Sequence, residues 1–176
     1  APNVHLFVNP DIRQNQTVTV PKPTVDAEGC IACGACVTAC QFNALALTKS
    51  GVLLFPELCH GCGACSRACP VTAIRETDHP VGSVQTGVST CCRYIGGRLD
   101  IGKAMAPPVI RAVRGQADPG IFTIIDAPPG TACGMVTAVR NADYLILVTE
   151  PTPFGLHDLD LAVQTARRLE LPFGVV

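Results

Sequence analysis

Apolar and polar positions change rhythm along the chain. From Ala104 to Gly115 the apolar residues Met105, Val109, Ile110 and Val113 recur at helical spacing, with Pro107-Pro108 near the start, and predict a helix. Ile121-Phe122-Thr123-Ile124-Ile125 is an unbroken apolar run ending in Asp126, the pattern of a strand buried in a parallel sheet. Asp126-Ala127-Pro128-Pro129-Gly130-Thr131 then reads as a turn. A helix closing over Thr137 to Asn141 and a second buried strand over Tyr144 to Thr149 follow. Next comes an amphipathic helix over Leu156 to Leu169, with Leu156, Leu159, Val163 and Ala166 on one face, and a strand beginning at Phe173. Strands alternating with helices predict an α/β domain with a parallel sheet.

The middle of the chain is different. Residues 24–80 lie between Pro21-Lys22-Pro23 and His79-Pro80-Val81-Gly82, which read as joints. Within them Val52 to Phe55 and Ala73 to Glu76 predict short strands, with single helical turns after Cys33 and Cys62. Val4-His5-Leu6-Phe7-Val8 is a further apolar segment upstream. The simplest organisation is an α/β domain formed by residues 1–23 and 81–176, with 24–80 inserted as an α+β module. A tandem fusion leaves residues 1–22 unexplained.

Composition narrows the chemistry. Of 176 residues 48% are hydrophobic and 15% charged, which supports a packed core and argues against disorder. A formal charge of −1 gives no electrostatic case for nucleic acid. Apolar runs such as Tyr144 to Val148 are too short to span a bilayer, and the first residues carry no signal-peptide pattern. The expectation is a cytoplasmic protein with no membrane and no nucleic-acid partner. The outlier is cysteine, at 11 residues.

Eight cysteines form two runs of C-x2-C-x2-C-x3-C: Cys30, Cys33, Cys36, Cys40 and Cys59, Cys62, Cys65, Cys69. The runs repeat at an offset of 29 residues, the separation of Cys59 from Cys30, and Gly34/Gly63, Ala35/Ala64, Ala39/Ala68 and Ala44/Ala73 follow it. Disulfides suit secreted proteins, whereas this chain shows no export signal and an odd number of cysteines. Structural zinc takes two ligand pairs well separated in sequence; here three thiolates crowd together. Two 4Fe-4S clusters satisfy the pattern, because three close thiolates bind three irons of a cube and the fourth iron is ligated from the other run. Cys30, Cys33, Cys36 and Cys69 are assigned to cluster one, and Cys59, Cys62, Cys65 and Cys40 to cluster two. A wrong cross-over would only exchange Cys40 and Cys69. Cys69-Pro70 carries the proline of bacterial ferredoxin runs, and Cys40-Gln41 does not. Gly34 and Gly63 let the backbone approach the sulfurs, and Ile31, Val37, Phe42, Leu45, Leu58, Val71 and Ile74 supply apolar walls. Each oxidised cube with four thiolates carries about −2. A module this poor in large core residues is expected to need its clusters in order to fold.

An apolar strand ending in Asp126 and followed by Pro128-Pro129-Gly130-Thr131 resembles the Walker B and switch II region of MinD/Mrp-type P-loop ATPases. With a two-cluster ferredoxin upstream, the chain resembles members of that superfamily carrying an inserted ferredoxin domain. Residues 1–7 resemble the stretch leading into switch I, and Thr149 to Asp158 the strand-to-helix loop beyond switch II. The resemblance implies a partial P-loop fold, with a parallel sheet and flanking helices. It further implies that Asp126 holds Mg²⁺ through a water and that the Gly130 N–H senses the γ-phosphate of ATP. Asp126 as a mere cap of the turn is the other reading. His5 stands near the family's switch I Asp. No G-x-x-x-x-G-K-[ST] occurs, and Gly102-Lys103-Ala104 lacks the hydroxyl residue and the glycine loop. The resemblance therefore implies a phosphate loop before residue 1, a fragment inactive alone, and an intact parent that hydrolyses ATP.

The function expected is iron–sulfur electron transfer, with ATP in the parent gating electron flow or cluster or metal delivery. A redox partner protein and a homodimer through the ATPase domain are implied. The alternatives are a plain electron-transfer ferredoxin with a non-catalytic α/β docking domain, and a cluster-assembly carrier. Cys91, Cys92 and Cys133 read as ordinary thiols or, second, as a redox or metal site. His60 faces solvent or sulfur, Arg167-Arg168 ends a helix in solvent, and Lys103 lies on the surface.

Overall fold

The computed structural model describes residues 3–103 and 105–176; Ala1 and Pro2 of the N-terminal stretch, and Ala104 at the predicted helix start, lie outside them. The element order is α1 (Val4–Val8), β1 (Asp11–Val25), α2 (Ala35–Ala39), β2 (Leu45–Thr48), β3 (Gly51–Leu54), α3 (Ala64–Ala68), β4 (Ile74–Val88) and β5 (Arg93–Leu99). The chain continues with α4 (Pro107–Arg114), α5 (Cys133–Val139), β6 (Leu145–Leu147), α6 (Pro153–Arg168) and β7 (Phe173–Val175). It folds as two compact units, one formed by Gln16–Ser83 with Leu99–Pro108, the other by the remaining segments. Among the described residues, no helix is long and apolar enough to cross a membrane.

The main sheet has the order β1-β4-β5 and is antiparallel. The pairing shows it directly. Near one end of the β1–β4 pair Asp26 N–H donates to Ala73 O, and near the other a Cβ on Gly87 would meet Asp11 O. The link from β4 to β5 is a tight turn closed by Ser89 N–H on Cys92 O at 2.8 Å. This overturns the partial P-loop fold with its parallel sheet. The first predicted strand of that sheet, Ile121 to Ile125, is not a strand; its residues are exposed, Phe122 to 90% and Ile124 to 84%. An apolar run reports a preference for burial, but a strand also needs neighbours to take its backbone hydrogen bonds, and among the described residues no strand pairs with this run. Val4–Val8, placed by the resemblance in a stretch leading to switch I, is a helix.

Parallel pairing exists where β6 meets β7, with Leu145 opposite Phe173 and Leu147 opposite Val175. The helix between them starts at Pro153, three residues before its predicted start, because Thr152 caps it by accepting the Gly155 N–H at 3.0 Å and Pro153 fits the first turn. Leu159, Val163 and Ala166 lie on its covered face, while Leu156 is exposed. The helix predicted from Ala104 begins at Pro107, with Val109 buried.

The unit holding Gln16–Ser83 is built on the 29-residue repeat. Its core cluster is Cys36, Leu45, Cys65 and Ile74, two pairs of equivalent positions. Asp26 N–H donates to Ala73 O and Phe55 N–H to Ala44 O, both at 2.8 Å and again equivalent. Each bond ties the residue entering one cysteine run to the residue leaving the other. The two halves therefore interlock, and α2 packs on α3 between them. β1 is the edge of its sheet and tolerates Pro21 and Pro23, whose backbone faces away from β4 because alternate residues of a strand point opposite ways. Lys22 faces inward, its carbonyl accepting the Thr77 hydroxyl at 3.4 Å.

Candidate metal centre

Each cysteine run is shaped by the same backbone sequence. Gly34 (φ 77) and Gly63 (φ 72) are left-handed and start α2 and α3, while Cys40 and Cys69 are the extended residues that end them. Three residues on, Asn43 (φ 53) and Thr72 (φ 51) are left-handed as well. That reversal turns the next amide back on the last cysteine. Ala44 N–H reaches Cys40 Sγ at 3.4 Å, and Ala73 N–H reaches Cys69 Sγ at 3.3 Å. Amide donors aimed at sulfur stabilise the thiolate form that a metal requires.

Cys36 and Cys65 are buried, Cys30, Cys40, Cys59 and Cys69 are half-buried, and Cys33 and Cys62 are exposed. Burial pushes the Cys36 thiol above its usual range; backbone N–H groups of Val37 and Cys36 pull it down, and nearby Cys30 and Cys33 push it up. Cys65 is raised in the same way, with Cys59 and Cys62 as its neighbours. The structure thus gathers Cys36 with Cys30 and Cys33, and Cys65 with Cys59 and Cys62.

A pocket then brings the two runs together: Cys40 of the first run lines it with Cys59, Cys62 and Cys65 of the second. Phe42 and His60 cover part of it with stacked rings, centroids 3.8 Å apart and planes at 9°. His60 therefore packs against an aromatic ring, a neighbour the sequence reading did not foresee. Gly61 (φ 63) lines the same wall, and a Cβ there would come within 2.6 Å of Pro21 O. The loop between Cys59 and Cys62 thus lies against the outer edge of β1, and a glycine makes that approach possible.

Residues 23–75 match the family model of the 4Fe-4S dicluster domain. The chain carries such a domain. Across its whole length it is 30% identical to the uncharacterized protein MJ0578 of Methanocaldococcus jannaschii, of which it covers 63%. Over 47% of its length it is 31% identical to the uncharacterized protein MJ0579 of the same organism, covering 31% of that protein. The chain thus spans less than two thirds of either relative.

The donor set fits the dicluster domain. In a cube each thiolate takes a separate iron, and the four cysteines that line one pocket supply that number of donors.

The residues proposed for ATP are placed otherwise. Asp126 is exposed at the end of a segment that is not a strand, and Gly130 (φ 84) is exposed beyond it. With no strand formed at Ile121 to Ile125, Asp126 does not stand at the strand end that the resemblance implied for Mg²⁺. His5 lies in α1. Cys133 begins α5 and is exposed, as are Cys91 and Cys92, whose sulfurs stand 3.8 Å apart at the β4–β5 turn.

Proposed function

We propose that the protein is an electron carrier that passes single electrons through two 4Fe-4S clusters. Cys30, Cys33, Cys36 and Cys69 hold one cluster, and Cys59, Cys62, Cys65 and Cys40 hold the other. The observation carrying this reading is the pocket in which Cys40 joins the three cysteines of the opposite run. The interlocking hydrogen bonds of Asp26 and Phe55 supply the two-fold exchange that such a ligand set needs. When bound, each cluster accepts or releases one electron; the chain's residues hold it, aim amides at its sulfurs and keep water away.

The other unit serves as a docking scaffold for a redox partner protein. Its support is exposed apolar surface: Phe122, Ile124, Ile146 and Val148 are all more than half exposed, and large apolar exposure marks protein contact sites. An ATP-driven role has no support in an antiparallel sheet.

Anaerobic reconstitution tests the carrier reading. About eight irons per chain and a paramagnetic signal after dithionite are expected. The cross-over has its own test in the double variant Cys40→Ser with Cys59→Ser. Both changes fall on one cluster if the runs are crossed, leaving about four irons in an intact cube. If the runs are uncrossed, both cubes are damaged. About two zinc ions and no iron signal would overturn the proposal.

A further inference from the structure

We propose that Lys22 is a buried counter-charge for the cluster held by Cys59, Cys62, Cys65 and Cys40, and that its ammonium raises that cluster's reduction potential. The inference rests on the carrier reading above. Among the described residues Lys22 is the single charged side chain that is buried, at 7% exposure. Its Nζ donates to Pro56 O at 2.5 Å. The same carbonyl accepts the Cys59 N–H at 3.4 Å. One oxygen therefore links the cation to the backbone of the first cysteine of that run. The Lys22 side chain leaves β1 on the face opposite Pro21 and Pro23, which line the pocket, and reaches the Cys59 loop through that carbonyl.

No carboxylate among the described residues pairs with Lys22: the ion pairs there join Arg13 to Asp11 and Arg93 to Asp118. Glu76 also lines the pocket, but its carboxylate accepts the Ser66 hydroxyl at 2.8 Å rather than the ammonium. A buried cation without an anion is costly, so it persists where a negative charge lies close by. A cube with four thiolates is such a charge, about −2 when oxidised and about −3 after taking one electron. Attraction to a fixed cation grows with that charge, so Lys22 favours the reduced state. The step itself transfers one electron from a reductant of the dithionite class, with no bond made or broken.

The experiment is a redox titration of cluster-loaded protein followed by electron paramagnetic resonance, on the wild type, Lys22→Met and Lys22→Arg. The Met variant is expected to disfavour reduction in at least one step by about tenfold, a fall of about 59 mV for one electron. The Arg variant keeps the charge and should stay close to wild type. Coincident midpoints for Met and wild type would overturn the proposal. If Met fails to load iron while Arg loads fully, the need for the charge is shown by loading itself. If Arg fails as well, Lys22 acts through its shape and the proposal falls. A wild type without clusters would remove the carrier reading, and this inference with it.

Discussion

Single residues decide how the sulfurs are presented. Asn43 and Thr72 occupy the left-handed region at equivalent positions, and Thr72 does so despite a β-branched side chain. What it gains is the Ala73 amide on Cys69 Sγ. Ala32 (φ 52) and Gly61 (φ 63) are likewise equivalent, yet only Gly61 lies against Pro21 O. Gly61→Ala is therefore expected to destabilise the cysteine-bearing unit by about 1–3 kcal/mol and to speed cluster loss to a chelator, read from bleaching of the visible absorption. The remaining thiols give a second check. Of 11 cysteines eight are assigned to clusters, so a thiol reagent should titrate about three per chain, Cys91, Cys92 and Cys133, in loaded protein. In iron-free protein, burial raises Cys36 and Cys65 and keeps them protonated at pH 8. Peptide mass spectrometry should show them alkylated more slowly than exposed Cys33 and Cys62, with rates climbing as pH rises past the ordinary value of 9.0.

Elements carry the repeat from sequence into space. α2 and α3 are only five residues long, too short to stand alone, and are fixed by the cysteine loops before them and by Leu45 and Ile74 beneath. Leu45→Ala and Ile74→Ala remove equivalent buried side chains and should each cost about 2–5 kcal/mol, measured as a lowered urea midpoint of loaded protein. In the other unit α4 packs on β5 through the absence of a side chain. A Cβ on Gly97 would fall 2.7 Å from Val113 Cγ2 and 2.8 Å from Val109 Cγ1. Gly97→Ala should lower the stability of that packing while the iron content stays at wild-type level, since neither valine belongs to the cysteine-bearing unit.

At the scale of the whole molecule, the shortage is of large buried side chains: none is fully buried among the described residues. The unit formed by Gln16–Ser83 and Leu99–Pro108 puts cysteines where a core would place leucines, so metal binding is folding free energy there. Stripping iron should make residues 16–83 sensitive to protease, read from the cleavage sites, and restoring iron and sulfide should protect them again.

Local spacing is enough to read the repeat, the eight candidate ligands, α2, α3 and β3, but not β2 or the length of β4, which runs from Ile74 to Val88 straight through the expected joint at His79 to Gly82. The apolar runs of β6, α6 and β7 are local signals of the same kind, whereas the Thr152 cap that starts α6 at Pro153 came from the structure. The tertiary structure alone decided the direction of the main sheet. Val18 and Val20 alternate with Thr17 and Thr19, but Pro21 and Pro23 disguise a strand that an edge position tolerates. The apolar run at Ile121 to Ile125 carries the opposite lesson: hydrophobicity marks what a segment prefers, and a strand exists only where a neighbour completes its hydrogen bonds. The closeness of Lys22 to the Cys59 loop lay beyond the sequence for the same reason, since it depends on a carbonyl 34 residues away.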